Sequence, residues 1–182
     1  MARCRPFSQK EAERENANIV CKIDNHTLEL REPQDKNKSL RRNDPLRFNL
    51  DRFCDRTVTN YNLYTSVCKG MSSNIMQGIS STVITFGAAN TGKTHTMFGT
   101  VEDPGIVYMI LDDIFSMTNG DQVVSSSITM SALEITNEVI HDLQSVNQKK
   151  VELRDDYGKD IVISSLASLA LLSQLDMRII LK

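Results

Sequence analysis

The chain has 182 residues, 40% hydrophobic and 24% charged, an ordinary balance for a globular protein with room for one sizeable core. Its formal net charge of −2 supplies no bulk attraction to nucleic acid or to acidic membranes. No apolar run reaches the ~18 residues of a membrane span, and none near the N-terminus reads as a secretory leader. Cys4, Cys21, Cys54 and Cys68 are scattered without a C-x-x-C pair and read as reduced, cytosolic thiols. His26, His95 and His141 lack zinc-ligand spacing.

In chain order, Met1 to Pro6 leaves little room for a strand, and Arg3 and Arg5 fall on one face of any that forms. Residues 8–16 are charged and predict a surface turn or short helix. Residues 18–23 and 27–30 predict a hairpin turning at Asp24-Asn25. Residues 33–44 predict a solvated polar loop carrying Lys36, Lys38, Arg41 and Arg42. Residues 46–50 alternate like a strand. A helix is expected over 60–77, with Leu63, Val67, Met71 and Ile75 on one face, Gly70 weakening its middle and Gly78 closing it. Residues 82–86 are apolar and β-branched, as in a buried strand.

Residues 102–105 read as a turn. Residues 106–113 are apolar and end in Asp112-Asp113, the look of a metal-binding Walker B strand. A helix is the better reading. A parallel strand needs a crossover of about a dozen residues or more, and only eleven, Gly99 and Pro104 among them, separate Thr94 from Ile106. Ile106, Ile110, Ile114 and Met117 also fit one helix face. Residues 122–135 are β-rich, and a short helix is expected over 137–143. Residues 151–154 and 161–163 predict a hairpin turning at Tyr157-Gly158, and residues 173–182 begin a helix.

The most informative stretch is Gly87-Ala88-Ala89-Asn90-Thr91-Gly92-Lys93-Thr94, which reads G-x-x-x-x-G-K-[ST]. A strand-like run precedes it, and His95-Thr96-Met97-Phe98 follows without a breaker before Gly99. The glycines allow a tight turn on which main-chain N–H groups converge, and a helix starting near Gly92 adds the positive end of its dipole. Asn90 tolerates positive φ. Lys93 can reach β- and γ-phosphates, and the Thr94 hydroxyl can ligate Mg²⁺.

These residues belong to a longer ordered series. Arg3-Cys4-Arg5-Pro6 resembles an R-x-R-P motif, and residues 48–53 resemble F-x-F-D-x-x-F. Residues 87–97, GAANTGKTHTM, are similar to a phosphate loop followed by T-H-T-M. Residues 131–143 resemble S-Y-L-E-I-Y-N-E-x-I-x-D-L, and residues 153–156 resemble L-R-E-D. In this order, over almost the whole chain, the series resembles the N-terminal part of a kinesin motor domain. Asp103 to Ile106 and Glu152 to Asp155 look most like the subfamily that walks to microtubule plus ends and shortens them.

The resemblance implies an α/β fold with a P-loop NTPase-type central sheet and flanking helices, 1–182 forming a partial motor domain. It implies ATP and Mg²⁺ as cofactors, with Gly87, Ala88, Ala89, Asn90, Thr91, Gly92, Lys93 and Thr94 around the phosphates and Thr94 on the metal. Arg3, Arg5, Pro6 and His95 would flank the adenine. No catalytic residue is assigned. The implied partner is the microtubule, in the cytoplasm, with no nucleic acid or membrane involved and homodimerisation through a stalk outside this chain. The basic residues Lys36 to Arg42 match a loop that the subfamily places against tubulin.

The chain also departs from the family pattern. Ala132 and Thr136 replace two tyrosines, and the F-D segment is one residue short. The 182 residues contain neither N-x-x-S-S-R-S-H nor D-L-A-G-x-E, the switch motifs that orient water and sense the γ-phosphate. In the family fold those later segments also supply the strands beside residues 82–86. The expectation is therefore a chain that binds nucleotide poorly, hydrolyses it little and aggregates through an exposed apolar strand. Two other readings stand beside it. One is a small, complete P-loop kinase or nucleotide-binding enzyme, and the other a non-catalytic tubulin-binding or degenerate fragment.

Overall fold

The computed structural model describes residues 1–13, 19–31, 45–118, 127–145, 147, 149–154, 162–173 and 176. They fall in two units, residues 1–110 and 111–182. The loop expected over 33–44, the turn at 157–158 and most of the helix expected over 173–182 lie outside the described residues.

In the first unit, β1 (Ala2–Arg3) runs parallel to β5 (Phe53–Cys54). Helix α1 spans Gln9–Glu13. Strands β2 (Val20–Lys22), β3 (Thr27–Leu30) and β4 (Leu46–Asn49) form an antiparallel meander. The expected turn is closed by Asp24, whose Oδ1 accepts the N–H groups of His26 at 2.6 Å and Thr27 at 2.7 Å. Glu29 on β3 is buried, and its carboxylate accepts from Arg31 Nε at 2.6 Å and Arg47 Nε at 2.9 Å. Those two guanidinium groups hold its pKa below the usual carboxylate range, Arg31 contributing most.

The helical run over 60–76 is real, but its buried face is not the expected one. α2 (Asn60–Leu63) passes through a π-helical turn at Tyr64–Cys68 into α3 (Lys69–Met76). A π turn holds one residue more than an α turn, so the face after it swings by about 100°. Leu63, Tyr64 and Cys68 are buried, whereas Val67 is 46% exposed. Thr59 caps the start, its side chain accepting Asn62 N–H at 3.2 Å, worth about 1 kcal/mol. Gly78, with φ +82°, closes the end. There Gly78 N–H reaches Ile75 O and Ile79 N–H reaches Asn74 O, both at 2.9 Å.

α5 (Ile106–Thr118) continues past Asp112 and Asp113, so the apolar run before them is a helix, as its spacing indicated. Ile106 joins Cys54, Leu63, Tyr64 and Cys68 in the core, with Val58, Met71, Val83, Met109 and Ile110 packed around them. Leu63 is fully buried and contributes about 2 kcal/mol of apolar burial. Between α4 (Lys93–Met97) and α5 the chain folds sharply, Gly99 bridging Pro104. A Cβ on Gly105 would lie 2.1 Å from Met97 O, so only glycine lets these segments touch.

The strand expected over 82–86 is not paired. No strand among the described residues ladders with it, and it carries no regular secondary structure. Its exposure nevertheless alternates residue by residue, as an extended chain requires. Val83 packs on the core, while Ile84 is 82% and Phe86 100% exposed. The buried strand read from composition is thus an apolar ribbon with one face in solvent.

In the second unit, β6 (Ile128–Met130) pairs antiparallel with β11 (Leu169–Leu171). β7 (Leu133–Thr136), β8 (Val139–Asp142), β9 (Lys150–Arg154) and β10 (Val162–Ser164) form an antiparallel sheet in that order. The helix expected over 137–143 is instead a two-residue loop followed by β8. Asn137 and Glu138 both have positive φ, +51° and +64°, which matches the twist of a tight hairpin and lets Val139 pair back onto Thr136. Asp142 is 1% exposed, its oxygens accepting the N–H groups of Gln144 and Ala167, each at 2.9 Å. Those bonds, Ala167's first, lower its pKa.

An apolar ribbon open to solvent favours self-association. Replacing Ile84 and Phe86 together by Lys is expected to raise the monomer fraction in sedimentation velocity, with little change in the unfolding midpoint. Val83→Lys, on the packed side, is expected to unfold the first unit. Equal behaviour of the two variants would contradict the alternation.

Candidate functional site

The loop at residues 87–94 is built by backbone turns. Asn90 has φ +61° and Gly92 φ +90°, and Gly92 caps the start of α4. The Thr91 hydroxyl donates to Ala88 O at 2.8 Å and braces the loop from within. A Cβ on Gly87 would lie 2.7 Å from that hydroxyl oxygen, so the brace needs glycine there. The N–H groups of Lys93, Thr94 and His95 head a helix and have no acceptor inside it. Lys93 Nζ donates to Gly87 O at 2.9 Å and Ala88 O at 2.6 Å, which sets the ammonium over the loop. Thr94 is exposed beside it. A turned backbone, a cation and an exposed hydroxyl are thus gathered at one helix start, an arrangement suited to a polyphosphate with its metal.

The two arginines take different places. Arg5 lies at the rim, its Nε donating to Asn90 O at 2.8 Å and its stem beside Gly92, where a Cβ would lie 3.6 Å away. Its Nη1 and Nη2 meet the Glu11 carboxylate at 2.8 and 2.6 Å, and Nη1 also reaches Pro6 O at 2.8 Å. Glu11 in turn accepts Ser8 N–H and Ser8 Oγ, each at 2.8 Å, while Glu11 N–H reaches Ser8 Oγ at 3.3 Å. This is a capping box at the start of α1.

Arg3 is half-buried and is tied to the base of α4. It donates to Asn60 Oδ1 at 2.5 Å, Thr96 Oγ1 at 2.8 Å and Val58 O at 3.2 Å. Burial pulls its pKa below the ordinary guanidinium value, against the opposing pull of Asp103. Pro6 is exposed, and Phe7 beside it lies under the Arg56 guanidinium at 4.0 Å. His95 is exposed on α4, its Nε2 3.8 Å from Asp103 Oδ2. Sequence reasoning missed Asn60, Asp103 and Glu11. For Glu11 a signal exists in the Ser8-x-x-Glu11 spacing. For the other two there is none, because only the fold brings them to the loop.

Glu11 has its pKa lowered from 4.5 to about 2, first by the Arg5 hydrogen bond and then by Ser8. A carboxylate with a depressed folded pKa stabilises fully above its unfolded pKa and loses that effect as pH falls through the folded one. The stability difference between wild type and Glu11→Gln is therefore expected to shrink steadily from pH 5 to pH 2. Urea midpoints across that range check it, and a constant difference would rule out the ion pair as its source.

The family model "Kinesin motor domain" matches residues 3–182. Kinesin-like protein KIN-8B of Arabidopsis thaliana is 32% identical over 173 residues, 92% of this chain and 21% of the relative. Kinesin-like protein 5 of Schizosaccharomyces pombe is 36% identical over 131 residues, 69% of this chain and 15% of the relative. Kinesin-like protein KIF18A of Mus musculus is 28% identical over 91% of this chain and 20% of its own length. The chain thus spans about a fifth or less of these curated relatives. A solved structure of a fast kinesin superposes with a TM-score of 0.85 at 20% identity, covering 98% of this chain and 49% of that one. The fold is the mixed α/β P-loop NTPase fold of kinesin motors, and the chain belongs to the kinesin motor domain family.

Proposed function

We propose that the chain is the ATP-binding part of a kinesin-like microtubule motor. The observation that carries this is the loop itself, with Gly87, Asn90 and Gly92 shaping a turn that ends at Lys93 and Thr94. Ala88, Ala89 and Thr91 complete the cradle around the phosphates. Lys93 exchanges its two carbonyl partners for β- and γ-phosphate oxygens, and Thr94 supplies a hydroxyl to Mg²⁺. Bound Mg²⁺ would neutralise phosphate charge. Arg5, Pro6 and His95 line the adenine side, with Arg3 behind them. Residues 1–182 act as part of a motor domain.

The subfamily that residues 103–106 and 152–155 resemble, one that walks to microtubule plus ends and shortens them, belongs to this proposal. The structure of the fast kinesin carries implications for ATPase mechanism and for interactions with microtubules in that protein. Microtubule binding, with the basic residues Lys36 to Arg42 against tubulin, belongs to the same proposal. So do a cytoskeletal location and pairing through a stalk outside these residues. Among the described residues, no helix is long and apolar enough to cross a membrane. A complete small kinase is not favoured, since Asp112 and Asp113 lie on a helix rather than at the end of a strand beside the loop.

Purified chain is expected to bind Mg²⁺-ATP weakly and to turn it over little, with or without microtubules. Lys93→Ala is expected to weaken binding at least about tenfold, ~1.4 kcal/mol, by loss of a charge-assisted contact. Thr94→Ala is expected to remove the Mg²⁺ dependence of affinity. Isothermal titration reads both, and binding indifferent to Lys93 would exclude the loop as the site.

A further inference from the structure

We propose that Asn60 and Thr96 are positioning residues for the phosphate loop, joined through the Arg3 guanidinium. The proposal rests on the nucleotide reading above and names residues that the loop motif does not contain.

Asn60 is 0% exposed at the first position of α2. Its Nδ2 donates to His95 O at 3.0 Å and to Asp103 O at 3.2 Å. Its Oδ1 accepts from Arg3, and its main-chain N–H reaches Asp103 Oδ1 at 3.3 Å. Two carbonyls on one side and a guanidinium on the other fix which way the amide points, because a carbonyl only accepts and a guanidinium only donates. α4 has five residues, and the His95 carbonyl lies in its last turns, where helical donors run out. Asn60 supplies the missing donor from another segment.

Thr96 carries the same logic one step further. Its Oγ accepts from Arg3 Nη1 at 2.8 Å and lies 3.0 Å from Gly92 O. Since Arg3 only donates, the hydroxyl proton is directed to Gly92 O. That carbonyl also accepts Thr96 N–H at 2.9 Å. The Gly92–Lys93 peptide is planar and trans, so a carbonyl held back toward Thr96 points the Lys93 N–H out of the head of α4. The chain Asn60, Arg3, Thr96, Gly92 therefore runs from the buried core to the amide that meets the phosphate.

The test compares wild type, Thr96→Val and Thr96→Ser in the nucleotide-free 182-residue chain. Hydrogen exchange over residues 88–95 is read first, Mg²⁺-ATP affinity second, and thermal unfolding throughout. Thr96→Val is expected to speed exchange in the loop and weaken affinity, each about fivefold, while the unfolding midpoint moves by no more than a few degrees. Thr96→Ser, which keeps the hydroxyl, is expected to restore both. Asn60→Leu is expected to act in the same direction more strongly, and the Thr96 pair decides the matter if that variant does not fold. Loop exchange unchanged in Thr96→Val would overturn the proposal, as would equal acceleration across 27–30 and 60–76. Fast loop exchange in Thr96→Val, beside a wild type that does not bind Mg²⁺-ATP, would uphold the positioning and sink the nucleotide reading.

Discussion

A single buried amide ties the first unit together around its candidate loop, residues 87–94. Asn60 touches α4, the turn before α5 and the end of β1, none of which is near it in sequence. Each of those elements is too short to stand alone. β1 has two residues and α4 five, and an isolated helix of that length does not persist in water. Removing the amide would take the side-chain donor from His95 O, at about 1–3 kcal/mol for a buried group left unpaired, while Asp103 O would keep Thr100 N–H and Arg3 would keep Thr96 and Val58. The loop's shape is therefore a tertiary property, although its motif is a local one.

That distinction explains what the sequence made legible. The hairpin at 20–30, the helix over 60–76, its closure at Gly78 and the helical reading of 106–113 follow from local spacing and turn chemistry, and all are present. The turn at 87–94 was legible because its glycines and Asn90 report backbone angles directly. The buried face of the long helix was not, because a π turn shifts the register and nothing in Tyr64 to Cys68 announces it. The 137–143 segment reads as a helix because its apolar residues fit one as well as they fit a strand. The deciding fact is that Asn137 and Glu138 both adopt positive φ, which the pairing of Thr136 with Val139 enforces.

Residues 82–86 show the limit from the other side. Composition and alternation specify an extended chain, and the segment behaves as one, turning Val83 in and Ile84 and Phe86 out. A strand also needs a neighbour to satisfy its main chain, and local sequence does not say which neighbour. The solved kinesin covered by this chain to 49% of its length contains as much fold again as is present here. An exposed apolar ribbon leading directly into the turn at 87–94 places the least supported segment of the unit beside its candidate site.

The three cations at the loop divide the labour by their partners. Arg5 is neutralised by a two-point contact with Glu11, so it braces Asn90 without adding much field to the site. Arg3 directs its donors to Asn60, Thr96 and Val58, and half-buried as it is, it acts as a rigid fork rather than a movable charge. Lys93 is bonded to two neutral carbonyls of its own loop, on a flexible stem. On the proposed reading it would exchange those carbonyls for phosphate oxygens without breaking an ion pair, the gain being a charge-assisted bond in place of a neutral acceptor. On the proposed nucleotide reading, a loop that releases its ligand as well as binding it is better served by that exchange than by a cation already committed to a carboxylate.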